Sequence, residues 1–100
     1  MTNSLGYKLW NRAKKVIPGG NNFLSKSPKR FLGEKKWPNY FQKAKGCFIW
    51  DLNNNKFIDM SIMGMGTNLL GYANQEVDKA VKEIIKKGTV STLNCTEDVF

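Results

Sequence analysis

The 100-residue chain predicts an α+β segment: a helix, a long loop, a β-hairpin, a glycine-rich loop and a second helix. Three observations carry this. Apolar residues fall on one helical face near each end, as Leu9, Trp10, Ala13, Val16 and Ile17, and again as Val77, Ala80, Val81, Ile84 and Ile85. Between them, Phe48-Ile49-Trp50 and Phe57-Ile58 are strand-like and flank Asn53-Asn54-Asn55, residues that tolerate the positive φ of a tight turn. Residues 21–38 have no clean period and separate the first helix from the strands.

In chain order, Ser4 is placed to cap a helix running to about Ile17. Pro18-Gly19-Gly20 stops it, because proline cannot extend the hydrogen-bond ladder and glycine frees the chain to turn. The connection to Pro38 is long, and loops of that length are usually functional or disordered. Phe23, Leu24, Phe31 and Trp37 argue against disorder, since they need somewhere to be buried. Tyr40-Phe41 opens a strand towards Lys45-Gly46, and the hairpin follows. Asn74 caps the second helix, with Glu76 and Asp78 in its first turn, Lys86 and Lys87 in its last, and Gly88 as the residue that ends it. Thr96-Glu97-Asp98 reads as a further helix start. A helix, a loop, a hairpin and a helix with one apolar stripe on each helix do not make a self-contained core, so the sequence is expected to be an N-terminal segment of something larger.

Composition narrows the function. The chain is 41% hydrophobic with a mean hydropathy of −0.45, and no apolar run approaches the ~18 residues that span a bilayer. The N-terminus lacks the basic-then-apolar pattern of a signal peptide, so a cytoplasmic location is expected. There is no histidine, and Cys47 and Cys95 have no CxxC spacing, which argues against a zinc site or a Cys-His nucleophile; two buried thiols are expected. The net charge of +8 is uneven: residues 1–45 hold 11 of the 16 Lys and Arg against one acid, Glu34. A basic half with aromatic residues suits a small nucleic-acid-binding module. A solvated helix face and a long loop would look the same, and that reading ranks ahead because no known nucleic-acid motif accompanies the lysines.

The stretch 42–71 carries the most specific signal. It runs Lys45-Gly46, Asp51, Asn53-Asn54-Asn55, Ile58-Asp59, then the loop Ser61-Ile62-Met63-Gly64-Met65-Gly66-Thr67-Asn68, then Leu70-Gly71. Together with Pro18-Gly19-Gly20 and the helix 76–88, this order resembles the N-terminal region of class-III pyridoxal-phosphate aminotransferases, in the glutamate-1-semialdehyde aminomutase branch. The resemblance implies a type-I pyridoxal-phosphate fold, with residues 1–100 as the N-terminal part of the small domain plus the crossing to a large cofactor-binding domain. It implies a homodimer, pyridoxal 5'-phosphate as cofactor, an amino donor and a carbonyl acceptor as substrates, and no membrane. The lysine that holds the cofactor in this family lies beyond residue 100, so no catalytic residue is assigned here. The segment alone is expected to be inactive.

Substrate contacts are expected from the loop. Ser61, Gly64 and Gly66 form it, Met65 stands where the family has an aromatic residue over the substrate, and Thr67 and Asn68 can donate and accept hydrogen bonds. Glycines suit a loop whose backbone approaches a ligand closely. The alternative is that Met60, Met63 and Met65 are core packing and the glycines are simply turns. The chain also departs from the family. Lys26 falls where an arginine binds the substrate carboxylate, and lysine lacks the bidentate guanidinium fork; Arg30 is a second candidate. Tyr72-Ala73-Asn74 replaces a His-Ala-His pattern. These departures favour an aminotransferase acting on another carbonyl compound over a true aminomutase.

Overall fold

The computed structural model describes residues 3–88 together with Leu93 and Thr96. Its elements are α1 (Ser4–Val16), three single 3₁₀ turns (Pro18–Gly20, Leu24–Lys26 and Pro28–Arg30), β1 (Phe41–Lys45), β2 (Phe48–Asp51), β3 (Lys56–Ile58) and α2 (Gln75–Ile85). The expected helix start at 96–98 lies largely outside the described residues, as does Cys95.

Ser4 is not the cap of α1. It is the first helical residue, and Asn3 stands at the cap position. The Asn3 side chain is turned away and donates to the Trp37 carbonyl. The helix start is satisfied from a distance instead: the Leu5 N–H donates to Asn53 Oδ1 at 3.1 Å, and Asn53 Nδ2 donates to Ser4 Oγ at 3.1 Å. The hairpin turn thus occupies an N–H that the first helical turn cannot pair. At the other end α1 stops at Val16, and Ile17 is extended before Pro18. Trp10 and Ala13 are the buried members of the apolar stripe, whereas Val16 is 70% exposed. The chain then folds back under Trp10. Gly20 has φ +82°, and a Cβ there would sit 2.6 Å from the indole ring.

The three strands form one antiparallel sheet in the order β1-β2-β3. Lys45 pairs with Phe48, Ala44 with Ile49 and Lys43 with Trp50, with an irregularity between Phe41 and Lys43. Phe48 pairs with Ile58, Ile49 with Phe57 and Trp50 with Lys56. Paired residues share a face, so Ala44, Ile49 and Phe57 lie on one side and Lys43, Lys45, Phe48, Trp50, Lys56 and Ile58 on the other. On that second face Lys56 Nζ lies 3.7 Å from the Phe48 ring centroid and Lys43 Nζ lies 4.7 Å from that of Trp50.

Two turns join the strands. Gly46, at φ +57°, and Cys47 link β1 to β2. Cys47 is exposed, not buried as expected, because it sits at the tip of this two-residue turn. The second turn is organised by Asp51, which is buried. Its Oδ1 accepts from the backbone N–H groups of Asn53 and Asn55, its Oδ2 accepts from Asn55 Nδ2, and Asn54 takes the positive φ of +64°.

The start of α2 is as expected. Asn74 Oδ1 accepts from the Glu76 and Val77 N–H groups at 3.1 Å each. Lys86 and Lys87 fall just past the last helical turn rather than in it, and Gly88 at φ +89° receives the chain. No residue of α2 is buried: Val77, Val81 and Ile85 expose about half their surface. In the long connection, Phe31 and Trp37 stack ring on ring at 4.1 Å, while Phe23 and Leu24 remain exposed.

Candidate functional site

The loop 60–71 is shaped by its own backbone. Met63, Gly64, Met65, Gly66 and Gly71 all have positive φ, from +47° to +88°. For the two methionines this conformation costs about 1–2 kcal/mol each. Internal hydrogen bonds hold it. Ser61 N–H donates to Asp59 Oδ1 and Met63 N–H to Ser61 Oγ. Thr67 Oγ1 donates to the Gly64 carbonyl at 2.9 Å, and Asn68 Nδ2 to the Met63 carbonyl at 3.0 Å. Gly66 and Gly71 donate from their N–H groups to Ile62 and Asn68 carbonyls.

The two ends of the loop meet. Gly46 and Tyr72 exchange both backbone hydrogen bonds at 2.9 Å, and Asp59 N–H donates to the Cys47 carbonyl at 2.8 Å. Gly71 presses on Gly46: a Cβ at 71 would lie 3.1 Å from Gly46 Cα. Tyr72 Oη donates to Asp59 Oδ2 at 2.5 Å. Burial raises the Asp59 carboxyl, but hydrogen bonds from the Ser61 hydroxyl, Tyr72 and the Ser61 backbone outweigh it and hold the group below its ordinary value. The same bond to Asp59, then burial and the carboxylate charge, push the Tyr72 phenol up to about 12.

The residues expected to touch substrate divide among three pockets. Lys26, Gly64 and Tyr72 line one cleft of about 580 Å³, walled by Trp10, Phe31 and Tyr40. Lys26 Nζ lies 5.3 Å from the Phe23 ring centroid. Gly66, Thr67 and Asn68 line a smaller pocket of about 150 Å³ against Val77 and Asp78 at the start of α2. Ser61 lines a third, with Asp59, Asp51 and Ile49. Met65 is 81% exposed and Met60 89%, so neither packs into a core among the described residues. Arg30 is exposed at the end of its 3₁₀ turn.

Comparison with known proteins gives these features a context. No family model matches the chain. It is 42% identical over 96 residues to "Glutamate-1-semialdehyde 2,1-aminomutase" of Nitrosopumilus maritimus (strain SCM1), covering 96% of this chain and 20% of that protein. It is 40% identical over 86 residues to the protein of the same name from Wigglesworthia glossinidia brevipalpis, covering 86% of this chain and 19% of that one. The chain resembles the glutamate-1-semialdehyde 2,1-aminomutases. It spans about a fifth of the length of these aminomutases. Its fold superposes on the structure of the pyridoxal-phosphate internal aldimine form of the FumI protein of Sphingopyxis sp. MTA144, with a TM-score of 0.77 and 31% identity, over 96% of this chain and 22% of that chain. The α+β arrangement is therefore that of a segment of a pyridoxal-phosphate-containing protein.

Set beside the aminomutase resemblance, neither the loop nor the start of α2 offers a seat for a phosphorylated cofactor. Residues 60–71 contain no Lys or Arg. Two N–H groups of the first turn of α2, those of Glu76 and Val77, which would otherwise attract an anion, are occupied by Asn74, and Glu76 and Asp78 place acidic side chains beside them. Among the described residues no helix is long and apolar enough to cross a membrane, and no cluster of His, Cys, Asp or Glu is placed to hold a metal. In the sequence Tyr72 stands out only as a departure from the family pattern. Its pairing with Asp59 depends on the loop ends meeting, and the one signal for it was an acid and a tyrosine flanking a glycine-rich run.

Proposed function

We infer that this chain is part of a pyridoxal-phosphate-dependent aminotransferase that transfers an amino group to a carbonyl substrate. The observation that carries the reading is the fold match, at 31% identity over 96% of the chain, to a protein solved with pyridoxal phosphate bound. Residues 1–100 form the N-terminal part of the small domain, the cofactor is held by other residues of a longer protein, and the working unit is a cytoplasmic homodimer. The exposed apolar surface supports this: Leu69, Leu70, Val77, Val81 and Ile85 are all outward and suit a cover from the rest of the protein.

When bound, the cofactor supplies an electron sink. The work of this chain is to bind and orient. Lys26 is among the residues that line the aromatic cleft, and its ammonium pairs with an anionic group of the substrate. Met65 covers the ligand with apolar surface, and Thr67 and Asn68 hold the backbone of Gly64 and Met63 in place. A second reading, aminomutase action on glutamate-1-semialdehyde, is favoured by the names of relatives at 37–43% identity.

The test is to purify the full-length protein containing these residues with pyridoxal phosphate. A visible absorbance band abolished by borohydride, with cofactor recovered on a peptide outside 1–100, supports the reading. Amine donors are then screened by loss of the band, and isomerisation of glutamate-1-semialdehyde without any donor selects the second reading. Absence of bound cofactor overturns both. The basic-aromatic sheet face of Lys43, Lys45, Lys56 and Trp50 would then be tested for salt-dependent retention on a polyanion.

A further inference from the structure

The geometry points to Tyr72 and Asp59 as positioning residues: their hydroxyl–carboxylate bond clasps the entry and exit of the 60–71 loop and sets where that loop stands against the Lys26 cleft. This rests on the reading above, in which the loop faces substrate.

Asp59 is fastened to the first turn of the sheet through its N–H on Cys47, and Tyr72 to the same turn through two backbone bonds with Gly46. These ties fix the two backbones but leave the loop free to pivot, because the other described hydrogen bonds of 61–68 run within the loop or to Asp59. The Tyr72–Asp59 bond joins the two sides through side chains. Asp59 also takes the Ser61 N–H on its other oxygen, so one carboxylate holds both the exit tyrosine and the first residues of the loop. Tyr72 and Gly64 line the same cleft as Lys26. A loosened clasp therefore moves the Gly64 backbone relative to the ammonium that meets the substrate. The chain shows why the loop needs such a tie: Met63 and Met65 are held at positive φ, which an unrestrained loop would relax.

The test uses the full-length protein with pyridoxal phosphate and compares wild type, Tyr72→Phe, Asp59→Asn and the double variant. Tyr72→Phe keeps the ring and removes the hydroxyl. KM for the carbonyl substrate is expected to rise about tenfold, the loss of one hydrogen bond to a charged group, with bound cofactor retained and Tm lowered only by the share of that one bond. The double variant is expected to be no worse than the poorer single variant, because the two act as one unit. An unchanged KM, or loss of bound cofactor together with loss of cooperative unfolding, overturns the proposal, since the latter is damage to the fold. Hydrogen exchange of the Gly66 and Gly71 amides reads the clasp without reference to activity. About tenfold faster exchange in Tyr72→Phe is expected, and unchanged exchange overturns the clasp. Should wild type bind no cofactor, the enzymatic reading fails by itself, and the exchange rates still decide whether the clasp holds the loop.

Discussion

Tyr72 Oη and Asp59 Oδ2 stand 2.5 Å apart, closing a loop whose two ends are 13 residues apart in sequence. Each partner alters the other's titration, in opposite directions. Asp59 is held below its ordinary value, so its share of stability is present above pH ~4 and is lost as the pH falls through its lowered value. Tyr72 is raised to about 12, so its share is present below its ordinary value of 10.0 and is lost between there and about 12. Ultraviolet titration should show one tyrosine ionising near the upper end of that window. It should vanish in Tyr72→Phe and return towards the ordinary value in Asp59→Asn.

Gly20→Ala should destabilise far more than Gly19→Ala. Both positions have positive φ, +76° at Gly19 and +82° at Gly20, but only at Gly20 does a Cβ meet the Trp10 ring, at 2.6 Å. The conformational term is about 1 kcal/mol at either site, and overpacking brings Gly20→Ala to roughly 2–4 kcal/mol. Urea unfolding of the two variants measures the difference directly. Equal midpoints would mean that the chain under Trp10 is not in place.

Asn53→Ala should weaken α1, a helix 48 positions away. It removes the acceptor of the Leu5 N–H and the donor to Ser4 Oγ. The expected loss is about 1 kcal/mol, the usual worth of a helix cap. Ser4→Ala should cost less, and the double variant no more than Asn53→Ala. Thermal melts of the four proteins form the cycle.

Asp51→Ala should be the most damaging change in the hairpin. Asp51 is 2% exposed and accepts from Asn53 N–H, Asn55 N–H and Asn55 Nδ2. Leaving these donors without their acceptor costs roughly 3 kcal/mol or more. Loss of cooperative unfolding, or of exchange protection at the Asn53 and Asn55 amides, is the expected readout.

Lys26→Ala should raise KM for an anionic carbonyl substrate several-fold, a modest effect because the ammonium is exposed. Lys26→Arg should lower KM for a carboxylate substrate, since guanidinium binds it in a fork. An uncharged substrate should be indifferent to both changes. Steady-state kinetics with an anionic and a neutral acceptor distinguishes these outcomes.

The sequence by itself determined the elements that depend on near neighbours. The stripe from Val77 to Ile85 and the Asn74 cap define α2 because a helix reads residues three and four apart. The strands at 48–51 and 56–58 follow from short runs of strand-forming residues around three asparagines, and the positive φ falls on Asn54. Pro18 ends α1 because proline lacks the N–H that the ladder needs. The order of these pieces also carried the aminotransferase resemblance.

What only the tertiary structure decided are the pairings of residues distant in sequence. Ser4 was a reasonable local cap, yet Asn53 supplies the acceptor, because a donor is satisfied by whichever oxygen packing brings near. Cys47 is exposed because pairing Lys45 with Phe48 forces it to the tip of a turn. Met65 is exposed while Met63 is half-buried, on a backbone that runs through positive φ at all four residues 63–66, which hydrophobicity alone does not reveal. The Asp59–Tyr72 bond exists only once Gly46 and Tyr72 pair and bring the loop ends together. No periodicity encodes such a contact; it follows from how the chain closes on itself.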